Sequence, residues 1–177
     1  MKYLFSTGIT CLLLLVAFSS IAQDDKSKRP SPPATVTQKV GATTISINYS
    51  QPSVKGRTIG KAGDGGVEPI DGEVWRTGAN EATVFEVDND VKVEGKALPK
   101  GKYALFTLVN DGEWTIIFNK TWKQWGAFKY KQADDALRVA VKADKADPFA
   151  EKMAFTIDAK GKVTLLWGDR KVEFSVK

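Results

Sequence analysis

The chain has 177 residues, with 26 Lys and Arg against 21 Asp and Glu, one Cys and no His. Without histidine there is no Ser-His-Asp triad, no Cys-His pair, no His-based zinc or iron site and no histidine switch near neutral pH. The cations are mostly lysines spread among carboxylates, which is typical of a solvated surface of mixed sign and not of a nucleic-acid-binding face. We therefore predict no nucleic-acid partner, no metal and no cofactor.

Residues 1–22 have the pattern of a secretory signal peptide. Lys2 supplies the positive start, an apolar run is densest over residues 11–18, and a small-x-small cleavage site ends at Ala22. The run is shorter than the roughly 20 apolar residues of a membrane span, so an uncleaved anchor is the less favoured alternative. Cleavage would remove the only cysteine, Cys11, and leave an exported protein, periplasmic or extracellular, with no membrane span and no disulfide.

In chain order, a polar segment with three prolines near its end, residues 23–33, predicts a flexible leader before a single domain over residues 34–177. Alternation of apolar and polar residues predicts a hairpin over residues 35–49. Residues 55–72 hold six glycines and have no period, so they are predicted to form a long loop.

Short strands continue to the end of the chain. They are predicted over residues 82–87, 91–94, 102–109, 113–118, 137–141, 152–157, 163–167 and 171–176, with turns at 88–90, 110–112, 158–161 and 168–170. The single helical turn that we expect falls near residues 132–136. About ten short strands with turn signals every 8–12 residues predict an all-β fold, a single antiparallel β-sandwich or jelly-roll-like domain.

The segment 75–83, WRTGANEAT, is the best candidate for a functional site, because it breaks the two-residue period between the glycine-rich loop and a clear strand. It combines an arginine, an amide, a carboxylate and hydroxyls with an indole and a glycine, the mixture that a concave ligand site needs. A structural interpretation is the alternative. In it, Arg76 and Glu81 form an internal ion pair and Asn80 satisfies backbone groups of the loop.

Four segments of the chain resemble a bacterial family of secreted proteins, domain of unknown function 2911. They are residues 47–57, 74–83 (VWRTGANEAT), 93–106 and 113–119. The resemblance runs from about residue 32 to residue 142 and continues weakly to the end. It implies an extracytoplasmic all-β domain and supplies no activity. The chain departs from the family pattern at residues 58–73, which are longer and richer in glycine, and this departure affects any site carried by that loop.

The residues of this chain that match the family pattern are largely polar or charged. They are Tyr49, Pro52, Lys55, Gly56, Arg57, Arg76, Thr77, Gly78, Asn80, Glu81 and Thr83. If Lys55, Arg57 and Arg76 converge, they form a cationic pocket for a carboxylate or phosphate group. If Glu81 pairs with one of them, the pocket becomes a structural network. The candidate ligand-binding residues are therefore Arg76, Thr77, Asn80, Glu81, Thr83, Tyr49, Lys55, Arg57 and Trp75, and no residue is assigned a catalytic role.

Two weaker candidates lie outside this set. Four carboxylates over residues 64–73 offer oxygen ligands for calcium, although their spacing matches no known calcium loop. Trp122 and Trp125 lie three residues apart after a strand, where they could stack on sugar rings or be buried as core.

Three functions follow from these observations. The first is a non-catalytic extracytoplasmic module that binds a small anionic ligand or a carbohydrate. The second is a structural or assembly protein of the envelope, in which residues 75–83 only tie the fold. The third is a carboxylate-dependent hydrolase with Glu81 as acid or base and Arg76 as electrostatic partner, which needs a second carboxyl group about 5–9.5 Å away. The exposure and the partners of Arg76 and Glu81 discriminate among them.

Overall fold

The computed structural model describes residues 25–110 and 112–177, so the predicted signal peptide lies outside the described residues. The described chain opens with a 3-10 turn, Lys26–Lys28, and a second one, Gln132–Asp134, falls where the sequence predicts a helical turn. The strands are β1 (Pro33–Val40), β2 (Thr43–Ser50), β3 (Thr58–Ile59), β4 (Gly66–Val67), β5 (Val74–Trp75), β6 (Thr83–Val87), β7 (Val91–Val93), β8 (Lys96–Leu98), β9 (Gly101–Asn110), β10 (Glu113–Asn119), β11 (Asp135–Ile157) and β12 (Lys162–Ser175).

The strands with the clearest sequence patterns pair as their turns predict. β1 and β2 form the expected antiparallel hairpin around Gly41, whose φ of 60° lies in the left-handed region that glycine favours. β9 and β10 form a second antiparallel hairpin. On β6 the alternation is kept, because Thr83, Phe85 and Val87 are buried while the residues between them are half-buried.

The last third of the chain differs from the predicted pattern. β11 and β12 are two long strands where four short ones are expected. The predicted turn at residues 168–170 is wrong, because Gly168, at a φ of 61°, forms an irregularity opposite Ala150 and the strand continues. A bulge of this kind bends a strand without ending it. The glycine-rich loop also contains a pair of two-residue parallel strands, β3 and β4.

One antiparallel sheet with the order β1-β2-β6-β9-β10-β11-β12 carries the fold, and β5 pairs with β9 beside it. β2 and β11 are four positions apart in this order, yet the rings of Tyr49 on β2 and Phe155 on β11 have centroids 5.0 Å apart. The Tyr49 hydroxyl also accepts the backbone N–H of Phe155 at 3.1 Å. The sheet therefore curls until its two parts face each other across the core, and the prediction of an all-β antiparallel sandwich is confirmed.

Aromatic rings fill the space between the two parts. Phe118 on β10 meets Phe85, Tyr103 and Phe174 edge to face, at centroid distances of 5.0, 6.3 and 6.1 Å. Edge-to-face contacts of this kind add to the free energy that burial of the rings contributes. Because Phe118 has no exposed surface and contacts rings from three other strands, it lies at the centre of the core.

A smaller apolar cluster lies on the outer face of the same sheet. Its buried members are Ala82, Ala104, Phe106 and Ile117. The Tyr130 ring packs edge on against Phe106 at 5.2 Å and covers the cluster. Tyr130 belongs to residues 120–131, which we call the aromatic loop. The sheet thus has an apolar patch on its outer face that holds this loop in place.

We expect Phe118→Ala to lower the free energy of unfolding by about 3–5 kcal/mol, because it removes a large buried ring and leaves a cavity. Urea titration of the folded protein measures this loss. Phe128→Ala is the control, since that ring is 85% exposed and its loss should change stability by less than about 0.5 kcal/mol. Equal losses in the two variants would contradict the central position of Phe118.

Candidate functional site

The segment 75–83 forms a closed turn tied by its own hydrogen bonds. The Trp75 indole N–H donates to the Gly78 carbonyl at 3.0 Å. The Thr83 hydroxyl donates to the Thr77 carbonyl at 2.7 Å, and the Thr83 N–H donates to the Arg76 carbonyl at 3.2 Å. Trp75, Thr77 and Thr83 are buried, so this part of the motif holds the chain and does not face solvent.

Close packing explains the glycine of the turn. A Cβ on Gly78 would lie 3.1 Å from the Ser50 carbonyl oxygen and 3.1 Å from the Thr83 hydroxyl. The buried Thr77 hydroxyl lies 3.3 Å from that of Thr107 on β9. The turn is therefore packed against β2 and β9, and a larger residue at position 78 would push these strands apart.

Arg76 pairs with Glu68, one of the four carboxylates considered as calcium ligands. Its Nη1 lies 2.9 Å from Oε1 of Glu68, which the glycine-rich loop brings to it. The structural alternative paired Arg76 with Glu81, but in the structure Arg76 pairs with Glu68, and Glu81 pairs with Lys26 and Arg29. The Nε atom of Arg76 is buried and has no hydrogen-bond partner in the described part of the chain.

The other two predicted cations make contacts of their own. Arg57 donates to the carbonyls of Ser53 at 2.6 Å and Val54 at 3.0 Å, so it braces its own loop. The Lys55 backbone N–H donates to a carboxylate oxygen of Glu151 on β11 at 2.8 Å. These contacts do not bring Lys55, Arg57 and Arg76 together as the predicted anion pocket requires.

Asn80 joins two segments that are distant in sequence. Its side-chain amide donates to the Ser31 carbonyl at 3.0 Å, and its own carbonyl accepts the Gly126 N–H at 3.0 Å. Asn80 has a φ of 60°, a left-handed conformation that asparagine adopts more readily than most residues. One further bond, from the Ala82 N–H to the Gln124 carbonyl at 3.0 Å, reinforces the attachment of the aromatic loop.

Glu81 is partly exposed and faces the leader. Lys26 Nζ lies 2.8 Å from its Oε1, and Arg29 Nη1 lies 3.1 Å from both carboxylate oxygens. Partial burial acts to raise the pKa of Glu81, but hydrogen bonds from Lys26, from its own backbone and from Arg29 outweigh it and lower the pKa from 4.5 to about 2. Glu81 is therefore ionised and accepts hydrogen bonds only.

Beside Glu81 lies a groove of about 400 Å³, which we call the indole groove. Its lining residues are Lys26, Glu81, Ala82, Val84, Trp122, Lys123, Gln124 and Trp125. A second hollow of about 190 Å³ continues from it toward β1 and β2, and Tyr49 and Arg29 are among its lining residues. Both hollows share Lys26, Glu81, Ala82 and Val84, so they form one concave surface between the leader and the aromatic loop.

The tryptophans fall into two groups. Trp75, Trp114 and Trp167 are buried, whereas Trp122 is 39% exposed and Trp125 is 55% exposed. The Arg29 guanidinium lies 5.8 Å from the centroid of the Trp125 ring, and Lys102 Nζ lies 5.5 Å from that of Trp122. Cations at these distances are attracted to the faces of the rings. They help to hold two exposed indoles in place.

In the sequence Gln124 lies between Trp122 and Trp125, and the residue is more than nine-tenths buried. Its amide nitrogen donates to the Thr121 carbonyl, while Oε1 is buried without a hydrogen-bond partner among the described residues. A buried acceptor without a donor costs free energy. Gln124 lines the indole groove, but its Oε1 is shielded from solvent.

The structure therefore divides the predicted site residues. Glu81 lies at the concave surface and Tyr49 at its far end. Asn80 holds the two segments that flank this surface, and Trp75, Thr77 and Thr83 lock the turn behind it. Lys26, Arg29, Lys123 and Gln124 were not predicted as site residues. The sequence signals for them are three cations within residues 26–29 of the predicted leader and the two tryptophans at positions 122 and 125.

Among the described residues, no helix is long and apolar enough to cross a membrane. The same residues contain no group of three or more His, Cys, Asp or Glu that could hold a metal ion. The acidic stretch considered for calcium loses one carboxylate to an ion pair, because Glu68 is bound to Arg76.

Fold and site together define a β-sandwich domain with a concave, aromatic-walled surface on the outer face of its sheet. Residues 31–176 match the model of a protein family described as a protein of unknown function (DUF2911). The chain therefore belongs to this family, as the resemblance implied. No curated protein and no solved structure matches the chain.

We expect Thr83→Val to lower the free energy of unfolding by about 1–3 kcal/mol, because the substitution keeps the shape but leaves the buried Thr77 carbonyl without its donor. Thermal and urea unfolding measure the change. Thr37→Val is the matched control on the exposed face of β1, where β-branched side chains suit a strand and little change is expected. A stable Thr83→Val variant would show that the closed turn does not depend on this hydrogen bond.

Glu81 should make stability depend on acid pH. Its pKa is lower in the folded protein, so its ionised form stabilises the fold above pH 4.5 and this stabilisation disappears as the pH falls toward 2. The carboxylate is more than a third exposed, so solvent screening limits the contribution to at most about 1 kcal/mol. Glu81→Gln should be less stable than the wild type at neutral pH and equal to it near pH 2.

Urea titrations at several pH values between those limits measure this convergence. A double-mutant cycle with Lys26→Ala assigns the effect to the ion pair, because the two losses should then sum to more than the loss in the double variant. A difference between Glu81→Gln and the wild type that stays constant with pH would contradict the assignment.

Proposed function

We propose that this protein is a non-catalytic extracytoplasmic module that binds carbohydrate in the indole groove. The observation that carries the proposal is the pair of exposed indoles, Trp122 and Trp125, on the wall of a groove that is about 400 Å³ in volume. Their exposure is a cost to the free protein that a ligand would remove, because apolar surface leaves water when it is covered. The export signal predicted for residues 1–22 would place the groove outside the cytoplasm.

The chemistry of the two indoles suits a pyranose ring. A pyranose presents a face of C–H groups, and an indole offers a flat apolar surface of similar size that loses little conformational entropy on binding. The aromatic loop is attached to the sheet through Tyr130 and to the motif through Asn80. The indoles are thus preorganised, which lowers the cost of binding.

Polar groups at the groove suit the rim of a sugar. Glu81 is ionised and accepts hydrogen bonds, and Gln124 has a buried carbonyl oxygen without a donor among the described residues. Sugar hydroxyls are donors that could reach Glu81, whose side chain is partly exposed. A site that combines apolar walls with a few fixed polar groups is typical of small-molecule recognition.

Two observations favour binding over hydrolysis. Of the described residues that line the indole groove, Glu81 is the only carboxylate, whereas glycoside hydrolysis generally uses two. A general acid also needs a raised pKa so that it holds a proton near neutral pH. The pKa of Glu81 is lowered to about 2, so this group has no proton to give.

The structural alternative fits only part of the motif. Trp75, Thr77 and Thr83 are buried and tie the fold, as that alternative supposes. Trp122 and Trp125, by contrast, are exposed and belong to a loop that Tyr130 already anchors to the sheet. A purely structural role therefore does not explain why the loop carries these two indoles.

The test is a panel of neutral and acidic oligosaccharides, followed by calorimetric titration of those that bind. Since the other three tryptophans are buried, a change of tryptophan fluorescence on binding reports on the groove. We expect Trp122→Ala and Trp125→Ala each to weaken binding about tenfold or more, which is a loss of about 1.4 kcal/mol.

Phe149→Ala is the control for loss of an exposed ring, because Phe149 is 54% exposed on β11 and lines neither hollow. It should bind as the wild type does. Failure of every saccharide on the panel to bind, or undiminished binding by the Trp122→Ala/Trp125→Ala double variant, would overturn the proposal.

A further inference from the structure

The indole groove has more positive than negative charge around it. Lys26 and Lys123 line the groove, Arg29 faces Trp125 and Lys102 faces Trp122. Against these four cations stand two described carboxylates, Glu81 in the groove and Glu86, which lies 3.1 Å from Lys102 Nζ. Among these six groups the positive charges outnumber the negative ones by four to two, which attracts anions.

Glu81 is not a barrier to an anionic ligand. Its two oxygens are bound by Lys26 and Arg29 at 2.8–3.1 Å, so its negative charge is compensated within the protein. Lys26 donates one hydrogen bond to Glu81 and has three N–H donors, and its side chain is 54% exposed. A ligand carboxylate near Lys26 would therefore meet an ammonium group that still has N–H donors available.

Lys123 is the cation most available to a ligand. It lies in the chain between Trp122 and Gln124, lines the groove with them and is exposed. Within the described part of the chain it has no ion-pair or hydrogen-bond partner. An ammonium group placed beside two stacking surfaces can reach a carboxylate on the rim of a stacked sugar ring. Such a charge-assisted hydrogen bond is stronger than one between neutral groups.

From these contacts we infer that the groove selects acidic saccharides, sugars that carry a carboxylate on the ring, with Lys123 as the residue that determines this specificity. The inference rests on the proposed carbohydrate-binding function and adds the ligand class to it. The indoles supply stacking that neutral and acidic sugars share, and Lys123 supplies the preference between them. Since Lys123 is exposed, salt should weaken the preference.

The experiment compares each acid with its methyl ester, which has the same rings but neutral carboxyl groups. Tetragalacturonate and its fully methyl-esterified form have the same rings and linkages, and a mannuronate tetramer and its methyl ester give the same comparison with another ring stereochemistry. Calorimetric titration is run at ~20 mM and ~500 mM NaCl, where the screening lengths differ several-fold. We expect at least one acid to bind about tenfold more tightly than its ester at low salt, and that ratio to fall toward one at high salt.

Lys123→Gln should bring the acid close to the affinity of its ester, and it should weaken the acid by more than it changes the ester. Lys160→Gln is the control of equal charge change, because Lys160 is exposed in a turn outside both hollows. It should keep the preference for the acid.

The outcomes separate this inference from the proposed function. If acids and esters bind equally and Trp122→Ala weakens both, the selectivity is overturned and the carbohydrate-binding function stands. If the acid is preferred but Lys123→Gln preserves that preference, the role of Lys123 is overturned. If neither acid binds while neutral sugars on the panel do, the ligand class is wrong; if no sugar binds at all, both proposals fall.

Discussion

The hydrogen bond from the buried Thr83 hydroxyl to the Thr77 carbonyl is the constraint on which the outer surface of this domain depends. It closes the turn that leads from β5 into β6 and fixes the direction in which the chain leaves that turn. Asn80, Glu81 and Ala82 lie within the closed segment, and each of them contacts the leader or the aromatic loop. The two walls of the concave surface therefore depend on a turn that lies behind them and is itself shielded from solvent.

This arrangement changes how the motif at residues 75–83 is interpreted. In the sequence alone, the motif is one cluster of polar residues. In the structure it has an inner part that packs against β2 and β9 and an outer part, Asn80 and Glu81, that organises a surface. The structural and the ligand-binding interpretations are thus both partly right, for different residues. The exposed indoles that carry the proposed function lie about forty residues further along the chain, in a loop that the motif holds.

The sequence predicts those features of the fold that depend on residues close together in the chain. The period of two and the turn residues give the β1–β2 and β9–β10 hairpins and the all-β class. It fails where distant segments decide the outcome. Gly168 signals a turn locally, but its pairing opposite Ala150 keeps β12 continuous. Arg76 and Glu81 have opposite charges and lie close in sequence. In the structure, however, Arg76 pairs with Glu68 and Glu81 pairs with Lys26, both of which belong to other segments. The indole groove has walls from three separate segments, so no single stretch of sequence contains it.

The left-handed conformation of Asn80 has a consequence for how the walls could be separated genetically. Its amide holds the leader through Ser31, while its carbonyl holds the aromatic loop through Gly126. Glycine adopts the same backbone conformation without a steric penalty and keeps the carbonyl, but it has no amide to donate. Position 80 is thus a place where one residue change removes one attachment of the leader, which Lys26 and Arg29 still hold at Glu81, and keeps the attachment of the loop. The leader and the loop are therefore attached to the motif through different chemical groups of the same residue.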